Sequence, residues 1–471
     1  MNHLSIIKII LVIEVLNVGS ILIKNGLLVT MDRERRIIED GGILVEDRKI
    51  SKIGKMSEFS GVRADEEIDA KGCIVMPGLI CSHTHLYGML LRGAPLFAKI
   101  KPPTDFMQNL QWIWWPVDEA LTHDDAYASA LVGCLEFLKT GTTLFADTYS
   151  GPNSIEGVLD RIGEAVERIG IRGFISFEAT ERHSREEGER GVKECIRYIE
   201  KVGDKGRVRG MLCLHASFTV SDDLLKLVRE KANELKVPIT MHTSEGLVDV
   251  YHNLERYGKR TVERLRDVGF LGRDVVLAHC VHLNDDELKI LAETGTNVAH
   301  NPMSNMLNAV GVAAIPKMID MGIRVGLGND GYIFDGFENI RAAYLLHKVH
   351  YRDPRMMTPL QVLEMATIRG AELYGVQEEV GSLEVGKLAD IIIIKPDVLP
   401  TPLNAKTVYG HLVNTVDGDD VQTVIVDGRI LMRDRKVLTV DEDEVERIAQ
   451  RSAERLWDRL KEVKPELDRI R

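Results

Sequence analysis

Residues 77–88 read PGLICSHTHLYG, and this stretch decides the fold that we predict for the 471-residue chain. The apolar run predicts a buried strand, and the strand ends in His83, Thr84 and His85. Successive residues of a strand point to opposite faces, so residues two apart share a face. We therefore expect His83 and His85 to project together at the end of the strand, where two imidazoles could hold a metal ion.

Seven later segments repeat the pattern of an apolar strand that ends in polar residues. The eight predicted strands are LICSHTHL, TTLFADTY, RGFISFEA, GMLCLHAS, PITMHTSE, VVLAHCVH, NVAHNPMS and RVGLGNDG. Amphipathic stretches such as HDDAYASALVGCLEFLKTG lie between them and predict helices. Continuous apolar strands that alternate with helices indicate a parallel sheet. Eight such units predict an α/β fold of the TIM type, a (β/α)8 barrel.

Both ends of the chain are β-rich, unlike the middle. Residues 20–76 show short predicted strands and hairpin signals. Residues 381–440 show the same pattern, with Asp427-Gly428 at a tight turn. The simplest arrangement is one small composite β-sandwich built from both ends. We predict four parts: residues 1–76 as the N-terminal part of the sandwich, 77–380 as the metal-dependent barrel, 381–440 as the C-terminal part, and 441–471 as a helix.

Composition excludes several classes of protein. The chain is 44% hydrophobic and 28% charged, as is typical of soluble globular proteins. Its net charge of −12 argues against a nucleic-acid partner. Six cysteines without a C-x-x-C motif indicate neither a disulfide framework nor a thiolate zinc site, and they favour a reducing cytoplasm.

Residues 4–18, LSIIKIILVIEVLNV, are apolar but are interrupted by Lys8 and Glu14. The run is too short and too charged for a membrane-spanning helix, and no small-residue cleavage site follows it. We interpret residues 1–18 as an apolar N-terminal extension and predict no membrane partner. A membrane anchor is the alternative interpretation.

The strand ends supply a candidate metal site. In a TIM-type barrel the C-terminal ends of all strands face one mouth, where active sites are built. His83 and His85 from the first strand, His242 from the fifth and Asp330 from the eighth would supply three imidazoles and one carboxylate. A catalytic zinc-type site needs three or four such ligands and an open position for water. Without a cysteine ligand the set suits zinc or ferrous iron.

Two further strand-end residues suit acid–base chemistry. Glu245 follows His242 by three residues, where it could carry a proton from the attacking water to a substrate ring nitrogen and then to a leaving amine. A helix cap is the alternative interpretation of Glu245. His279 could orient the attacking water or stabilise charge on its oxygen, and Asp330 could accept the proton that the water loses.

Together the motifs resemble those of the amidohydrolase superfamily, in its cytosine-deaminase and chlorohydrolase-like branch. The motifs that carry the resemblance are PGLICSHTH, the E-x-x-x-x-GTT of Glu136 to Thr143 (EFLKTGTT), LHASFTVS, MHTSE, LAHCVHL, HNPMSN and GLGNDG. The resemblance implies metal at His83, His85, His242 and Asp330, and catalysis by Glu245 and His279. No lysine ends the fourth strand, so the resemblance implies one divalent ion, zinc in preference to iron.

The resemblance also indicates a class of substrate. His215 lies where methylthioadenosine/S-adenosylhomocysteine deaminases have a substrate-contacting histidine. The segment after the first strand departs from their spacing and looks more like aminohydrolases associated with selenium and purine metabolism. That segment holds Trp112, Trp114 and Trp115. We predict that Trp112 stacks on a planar heterocycle, with helix packing as the alternative, and that Asn305 of HNPMSN also contacts substrate.

The predicted function is hydrolytic deamination of an aromatic N-heterocycle, such as a purine or an adenosine derivative, with release of ammonia. This makes the chain an enzyme that acts on carbon–nitrogen bonds other than peptide bonds. One alternative is a hydrolase that expels another group, such as chloride, or acts on a pterin or another purine-catabolic intermediate. Another is a catalytically dead barrel that is kept for assembly. We expect a small heterocyclic substrate as partner and a homo-oligomer.

Overall fold

The computed structural model describes residues 19–94, 102–331, 333–397 and 399–463. The apolar extension predicted for residues 1–18 lies outside these ranges. Within them, every helix is either too short or too polar to cross a bilayer.

The described chain begins with strands of a first sheet. Strands β1, β2 and β3 form antiparallel hairpins, while β4 and β5 run parallel to β1. The bounds are β1 (Ile21–Val29), β2 (Ile37–Glu46), β3 (Lys49–Lys55), β4 (Glu66–Asp69) and β5 (Ile74–Pro77).

The middle of the chain forms the barrel. Its parallel strands follow the order β6, β7, β8, β10, β11, β12, β13, β14, and the short β9 pairs with β8 beside this path. An isolated parallel bridge between Thr84 and Asp330 brings the first and last strands together, so the barrel is nearly closed. The predicted barrel and all eight predicted strands are confirmed. The bounds are β6 (Leu79–Thr84), β7 (Thr142–Tyr149), β8 (Arg172–Ala179), β9 (Val208–Gly210), β10 (Leu212–Ala216), β11 (Ile239–Thr243), β12 (Val275–His279), β13 (Asn297–His300) and β14 (Val325–Leu327).

Helices cover the outside of the barrel, and short polar side chains start several of them. The hydroxyls of Thr122, Ser184 and Ser221 each accept a hydrogen bond from a backbone N–H of the first turn, as N-caps do. The longer helices are His123–Lys139, Val158–Ile169, Arg185–Val202, Asp222–Leu235, Leu247–Tyr257, Asp285–Thr294, Gly336–Tyr351 and Glu442–Val463. Shorter ones are Phe106–Asn109, Trp115–Ala120, Thr261–Asp267, Pro302–Leu307, Ile315–Asp320, Pro359–Met365, Ile368–Leu373 and Val408–Asn414. A π-helical turn spans Leu110–Trp114, and 3-10 turns span Met56–Phe59, Leu86–Leu91, Ser217–Thr219 and Gly418–Asp420.

The end of the chain completes the first sheet. Strand β15 (Ile391–Ile394) pairs antiparallel with β5, and β16 (Val421–Val426), β17 (Arg429–Arg433) and β18 (Lys436–Val437) follow it outward. The two ends of the chain therefore share one hydrogen-bonded mixed sheet with its own apolar core. Asp427 and Gly428 both have positive φ, as the tight turn between β16 and β17 requires. The composite architecture is confirmed, while the domain boundaries that we drew stay a prediction.

Candidate active site

Four predicted metal ligands meet at the C-terminal mouth of the barrel, and we call His83, His85, His242 and Asp330 the metal cradle. Oδ1 of Asp330 lies 3.0 Å from Nε2 of His85 and 3.2 Å from Nε2 of His83. Nε2 of His85 lies 3.1 Å from Nε2 of His242. All four side chains are buried. Their ligand atoms therefore converge on one point from three different strands.

Backbone contacts between the first and last strands place Asp330 in the cradle. The N–H groups of Asn329 and Asp330 each donate to the His83 carbonyl at 3.1 Å, and His85 N–H donates to the Asp330 carbonyl at 2.6 Å. A Cβ at Gly328 would lie 2.8 Å from the His83 carbonyl oxygen, so this close approach requires glycine. The hydroxyl of Ser304 donates to Oδ2 of Asp330 at 2.5 Å, which leaves Oδ1 facing the histidines.

Hydrogen bonds behind the rings set the tautomers of two cradle histidines. Nδ1 of His85 lies 2.8 Å from the Thr148 carbonyl oxygen, and Nδ1 of His242 lies 2.7 Å from the His215 carbonyl oxygen. A carbonyl only accepts, so each Nδ1 carries the hydrogen and each neutral Nε2 carries a lone pair. Two bare lone pairs 3.1 Å apart would repel, so either a proton or a metal ion must lie at this point. The donor set therefore fits a metal ion.

The charges around the cradle favour a cation at the same point. Burial opposes protonation of His85, but the hydrogen bond and charge of Asp330 outweigh it and raise the pKa of His85 to about 10. Burial and the neighbouring charge of His85 lower the pKa of His242 to about 4. Burial would raise the pKa of Asp330, yet its bonds to His83 and the charge of His85 hold that pKa well below the usual range. The chain thus pairs an ionised carboxylate with positive charge here.

Two overlapping groups of side chains in the described structure could hold a metal. One contains His83, His242, His279 and Asp330, and the other contains His85, Glu178 and His242. Oε1 of Glu178 approaches the two histidines from the Nδ1 side, at 3.5 Å from His85 and 3.8 Å from His242. Because those Nδ1 hydrogens are donated to carbonyls, the Nε2 atoms, on the cradle side of the rings, are the ones that could bind an ion.

Glu245 and His279 lie beside the cradle as a pair. Nε2 of His279 is 3.4 Å from Oε2 of Glu245 and 3.9 Å from Oδ1 of Asp330. Burial, with the negative charges of Asp330 and Asp249, raises the pKa of Glu245 well above its ordinary 4.5. Burial lowers the pKa of His279 to about 4. Burial therefore favours the protonated form of Glu245 and the neutral form of His279.

Asn305 controls which nitrogen of His279 faces the site. Oδ1 of Asn305 accepts a hydrogen bond from Nδ1 of His279 at 2.8 Å, so Nε2 keeps its lone pair toward Glu245. His279 has a φ of 70°, in the left-handed region that non-glycine residues rarely adopt. Such backbone persists where the surrounding contacts hold it, which is common in functional sites.

A cavity of about 550 Å³, part of it open to solvent, lies in front of the cradle. One wall is aromatic and apolar, and the other carries carboxylates and imidazoles. The lining includes Tyr87, Phe106, Leu110, Trp114, Trp115, Asp118, Glu178, His215, Phe218, Glu245, Asn308 and Asp330.

The predicted substrate contacts divide into one that lines the cavity and two that do not. His215 lines it, with Nδ1 2.9 Å from the Thr219 hydroxyl and the rest of the ring toward the space. Trp112 is absent from the lining, whereas Trp114 and Trp115 belong to it. Residues two apart on a helix-like turn point to nearly opposite sides, which separates Trp112 from Trp114.

Asn305 is also displaced from the predicted position. Its side chain is 0% exposed and lies behind His279 rather than on the cavity surface. The helix Pro302–Leu307 turns Asn305 inward, while Asn308, just beyond the helix, reaches the cavity and donates to Glu245 at 3.4 Å.

Sequence reasoning missed a polar corner of the cavity. Asp118 accepts hydrogen bonds from Arg182 at 2.9 Å and from the Ser150 hydroxyl at 3.0 Å, and its Oδ1 is buried without a partner. Glu178 lies at the C-terminal end of β8, one residue before its last residue, so the sequence identifies it as a strand-end carboxylate. No role was predicted for it. Asp118 lies on a helix between strands, so no strand-end signal could have found it.

Comparison with known proteins adds a family and relatives. The model of the amidohydrolase family matches residues 74–431. The chain is 39% identical over 454 residues to a 5′-deoxyadenosine deaminase of Methanosarcina mazei, covering 94% of this chain and 99% of that protein. It is 38% identical over 434 residues to a 5-methylthioadenosine/S-adenosylhomocysteine deaminase of Desulforudis audaxviator, covering 88% and 95%.

Solved structures share the whole fold. A zinc-bound adenosine deaminase from Xanthomonas campestris superposes with a TM-score of 0.85 over 93% of this chain and 98% of that one, at 23% identity. An atrazine chlorohydrolase from Arthrobacter aurescens, complexed with zinc, superposes with a TM-score of 0.82 over 92% and 100%, at 25% identity. Proteins of this architecture therefore carry zinc in solved structures.

Proposed function

This chain belongs to the amidohydrolase family, and from that premise we propose that it is a metal-dependent deaminase of adenine nucleosides modified at the 5′ carbon. One observation carries the reaction class. The site holds two buried carboxyl groups, Glu245 at 3.4 Å and Asp330 at 3.9 Å from Nε2 of His279, whose pKa values are shifted in opposite directions, that of Glu245 up and that of Asp330 down. Such a pair divides the work of base and acid. The relatives named as deaminases of 5′-deoxyadenosine and methylthioadenosine support the substrate class.

Three imidazoles and Asp330 would hold one divalent ion, and we propose zinc because the solved neighbours carry it. When bound, such an ion supplies a water molecule with its pKa lowered from 15.7 to about 7. The neutral His279, with the lone pair of Nε2 toward the site, can accept a hydrogen bond from that water and orient it.

The side chains then move protons in a balanced hydrolysis. Asp330, ionised and fixed by Ser304, accepts the proton that the attacking water loses. Glu245 donates its proton to the ring nitrogen next to the amino-bearing carbon, where the proton stays in the product. The Glu245 carboxylate then takes the remaining proton of the added oxygen and passes it to the departing amine, and the proton held by Asp330 restores Glu245. The new carbon–oxygen bond replaces the carbon–nitrogen bond, so the products are the oxo-purine nucleoside and ammonia.

The cavity wall suits a nucleoside. Trp114 lies 6.4 Å from the His85 ring and 5.9 Å from the Tyr87 ring, measured between centroids, and can cover a flat base. The unpartnered Oδ1 of Asp118 can accept hydrogen bonds from sugar hydroxyls. An apolar wall containing Phe106 and Leu110 leaves room for a 5′ substituent without charge.

The test is ammonia release by purified, zinc-loaded protein. We expect 5′-deoxyadenosine and 5′-methylthioadenosine to release one ammonia per molecule. Adenosine 5′-monophosphate should react far more slowly, because no lysine or arginine is among the described residues that line the cavity and the apolar wall at Phe106 and Leu110 offers its phosphate no partner. Failure with every adenine nucleoside, combined with chloride release from a chlorotriazine, would replace deamination by the chlorohydrolase alternative. A cradle variant, His83→Ala/His85→Ala, is the matched negative control.

We also propose that the enzyme works in the cytoplasm, since all six cysteines are free and buried in the structure. The predicted homo-oligomer and the absence of nucleic-acid partners stay predictions. Sedimentation velocity of the zinc-loaded protein tests the first of these.

A further inference from the structure

Glu178 is a buried carboxylate behind two residues of the metal cradle. It ends β8 and is 1% exposed. Its Oε1 lies 3.5 Å from Nδ1 of His85 and 3.8 Å from Nδ1 of His242, on the side of each ring opposite the cradle. Both Nδ1 hydrogens are donated to carbonyls, so Oε1 has no hydrogen-bond partner in the described structure.

No lysine or arginine of the described ranges lies within 4 Å of this carboxylate. The other carboxylate of the same wall differs, because Asp118 is paired with Arg182 at 2.9 Å. An ionised group that is buried without a counter-charge costs several kcal/mol. Burial raises the pKa of Glu178, and the charge of His85, a hydrogen bond from Thr148 and the more distant charge of Arg182 do not offset it. A divalent ion beyond the two histidine rings would add the positive charge that favours the ionised form.

A charge count locates that positive charge. With neutral imidazoles the cradle carries one negative charge, on Asp330, and a divalent ion there leaves one positive charge unbalanced. Glu178 supplies the second negative charge at the rear of two ligand rings at once. Carboxylates behind metal-binding histidines make the ring a stronger donor, and their loss typically weakens metal binding about 10–100-fold.

We propose that Glu178 is a positioning residue for the metal: its charge, acting through the rings of His85 and His242, strengthens their hold on a divalent ion without coordinating it. This role rests on the proposed metal site. Because the charge and not a hydrogen bond does the work, an uncharged side chain of the same shape should not replace it.

The experiment measures zinc affinity by competition with a chromophoric chelator in the wild type, Glu178→Gln, Glu178→Asp and Asp118→Asn. Glutamine keeps the size and an amide oxygen, so Glu178→Gln removes only the charge. We expect its zinc dissociation constant to rise about 10–100-fold. Glu178→Asp keeps the charge and should recover most of the affinity, and Asp118→Asn should stay close to the wild type.

A second readout separates this role from a structural one. Thermal unfolding of the metal-free proteins should show Glu178→Gln at least as stable as the wild type, because glutamine keeps the size of the side chain and cannot take the charged form that burial penalises. Unchanged zinc affinity in Glu178→Gln, or an equal loss in Asp118→Asn, would overturn the role of Glu178 alone. A wild type that does not retain zinc would overturn the metal site and this role together.

Discussion

The barrel buries charged side chains at both of its ends, and the two sets differ in how they are paired. At the N-terminal end, Nε of Arg172 donates to Asp390 at 2.6 Å and Nη2 donates to Asp427 at 2.7 Å. The backbone N–H of Asp427 donates to Asp390 at 2.8 Å. The described structure leaves no buried polar atom of these three side chains without a partner.

The C-terminal end also buries charged side chains, but it leaves several of their polar atoms without a hydrogen-bond partner. Nδ1 of His83, Oδ1 of Asp118, Oδ2 of Asp147 and Oε1 of Glu178 are buried and have no hydrogen-bond partner among the described residues. Buried polar atoms are normally paired, so unpaired ones call for a specific explanation. From this difference we infer that the charged side chains at the N-terminal end hold the sheet and barrel together. Those at the C-terminal mouth are arranged for a metal and a substrate.

The largest expected effect is the loss of the metal. We expect His83→Ala/His85→Ala to fall from about one equivalent of zinc to none and to lose detectable activity, because two of four ligands are gone. Elemental analysis and an ammonia assay measure both. The metal-free variant should fold as well as the metal-free wild type, as expected of side chains that do not hold the barrel together. Full metal content in the variant would show that His83 and His85 are not metal ligands.

The next effect is on turnover. Glu245→Gln keeps the shape of the side chain but removes the proton that it donates, so kcat should fall about 10²–10⁴-fold. Zinc content and KM should barely change, because no ligand has moved. The matched control is a chloro analogue of the same nucleoside, since chloride leaves without a proton and should be hydrolysed with a smaller loss. Equal small losses on both substrates would make Glu245 a helix cap.

The same residue predicts a pH dependence. Glu245 must be protonated to act, and its pKa is raised by burial and by Asp330. Activity should therefore fall as the pH rises through that raised pKa. In Glu245→Gln, kcat should no longer fall at high pH. If kcat falls at high pH in both proteins, the group that titrates is not Glu245.

At the opposite end, the effect should be on stability alone. Arg172→Leu leaves Asp390 buried without a counter-charge and removes one of the arginines that pair with Asp427, so the free energy of unfolding should drop by about 3–5 kcal/mol. Arg48 also bonds Asp427 but is half-exposed, and Arg48→Ala is the control, expected to cost about 0–1 kcal/mol. Chemical denaturation measures both. The folded Arg172→Leu protein should keep its zinc content and its kcat. A large loss of kcat would contradict the conclusion that the charges at this end serve stability alone.

The smallest effect concerns acid. Burial would raise the pKa of Asp427, but Arg172 and Arg48 outweigh it, so the folded pKa lies below the ordinary 3.8. The stability that this provides is complete above the unfolded pKa and is lost as the pH falls through the folded pKa. Asp427→Asn should cost about 1.5–3 kcal/mol at pH 7. The gap to the wild type should narrow below about pH 4, and a gap that is constant with pH would contradict the ion pair.

Much of the fold and part of the site followed from the sequence. Eight apolar runs, each ending in polar residues, predicted the barrel strands because periodicity and burial act within one segment. The strand ends also brought out His83, His85, His242, Glu245 and Asp330, since all strands of such a barrel open onto one mouth. Their meeting within hydrogen-bond distance is what the structure adds.

The rest depends on contacts between distant segments. That Trp114 and not Trp112 faces the cavity is decided by how one π-helical turn packs over the mouth. Asn305 turned out to lie behind His279, and the Asp118–Arg182 pair joins residues 64 positions apart, with no periodic signal in either segment. The sequence alone determined which side chains stand at the strand ends, because the alternation of a strand is local. Only the tertiary structure decided which buried charges are paired, because pairing depends on the rotation and packing of elements that are far apart along the chain.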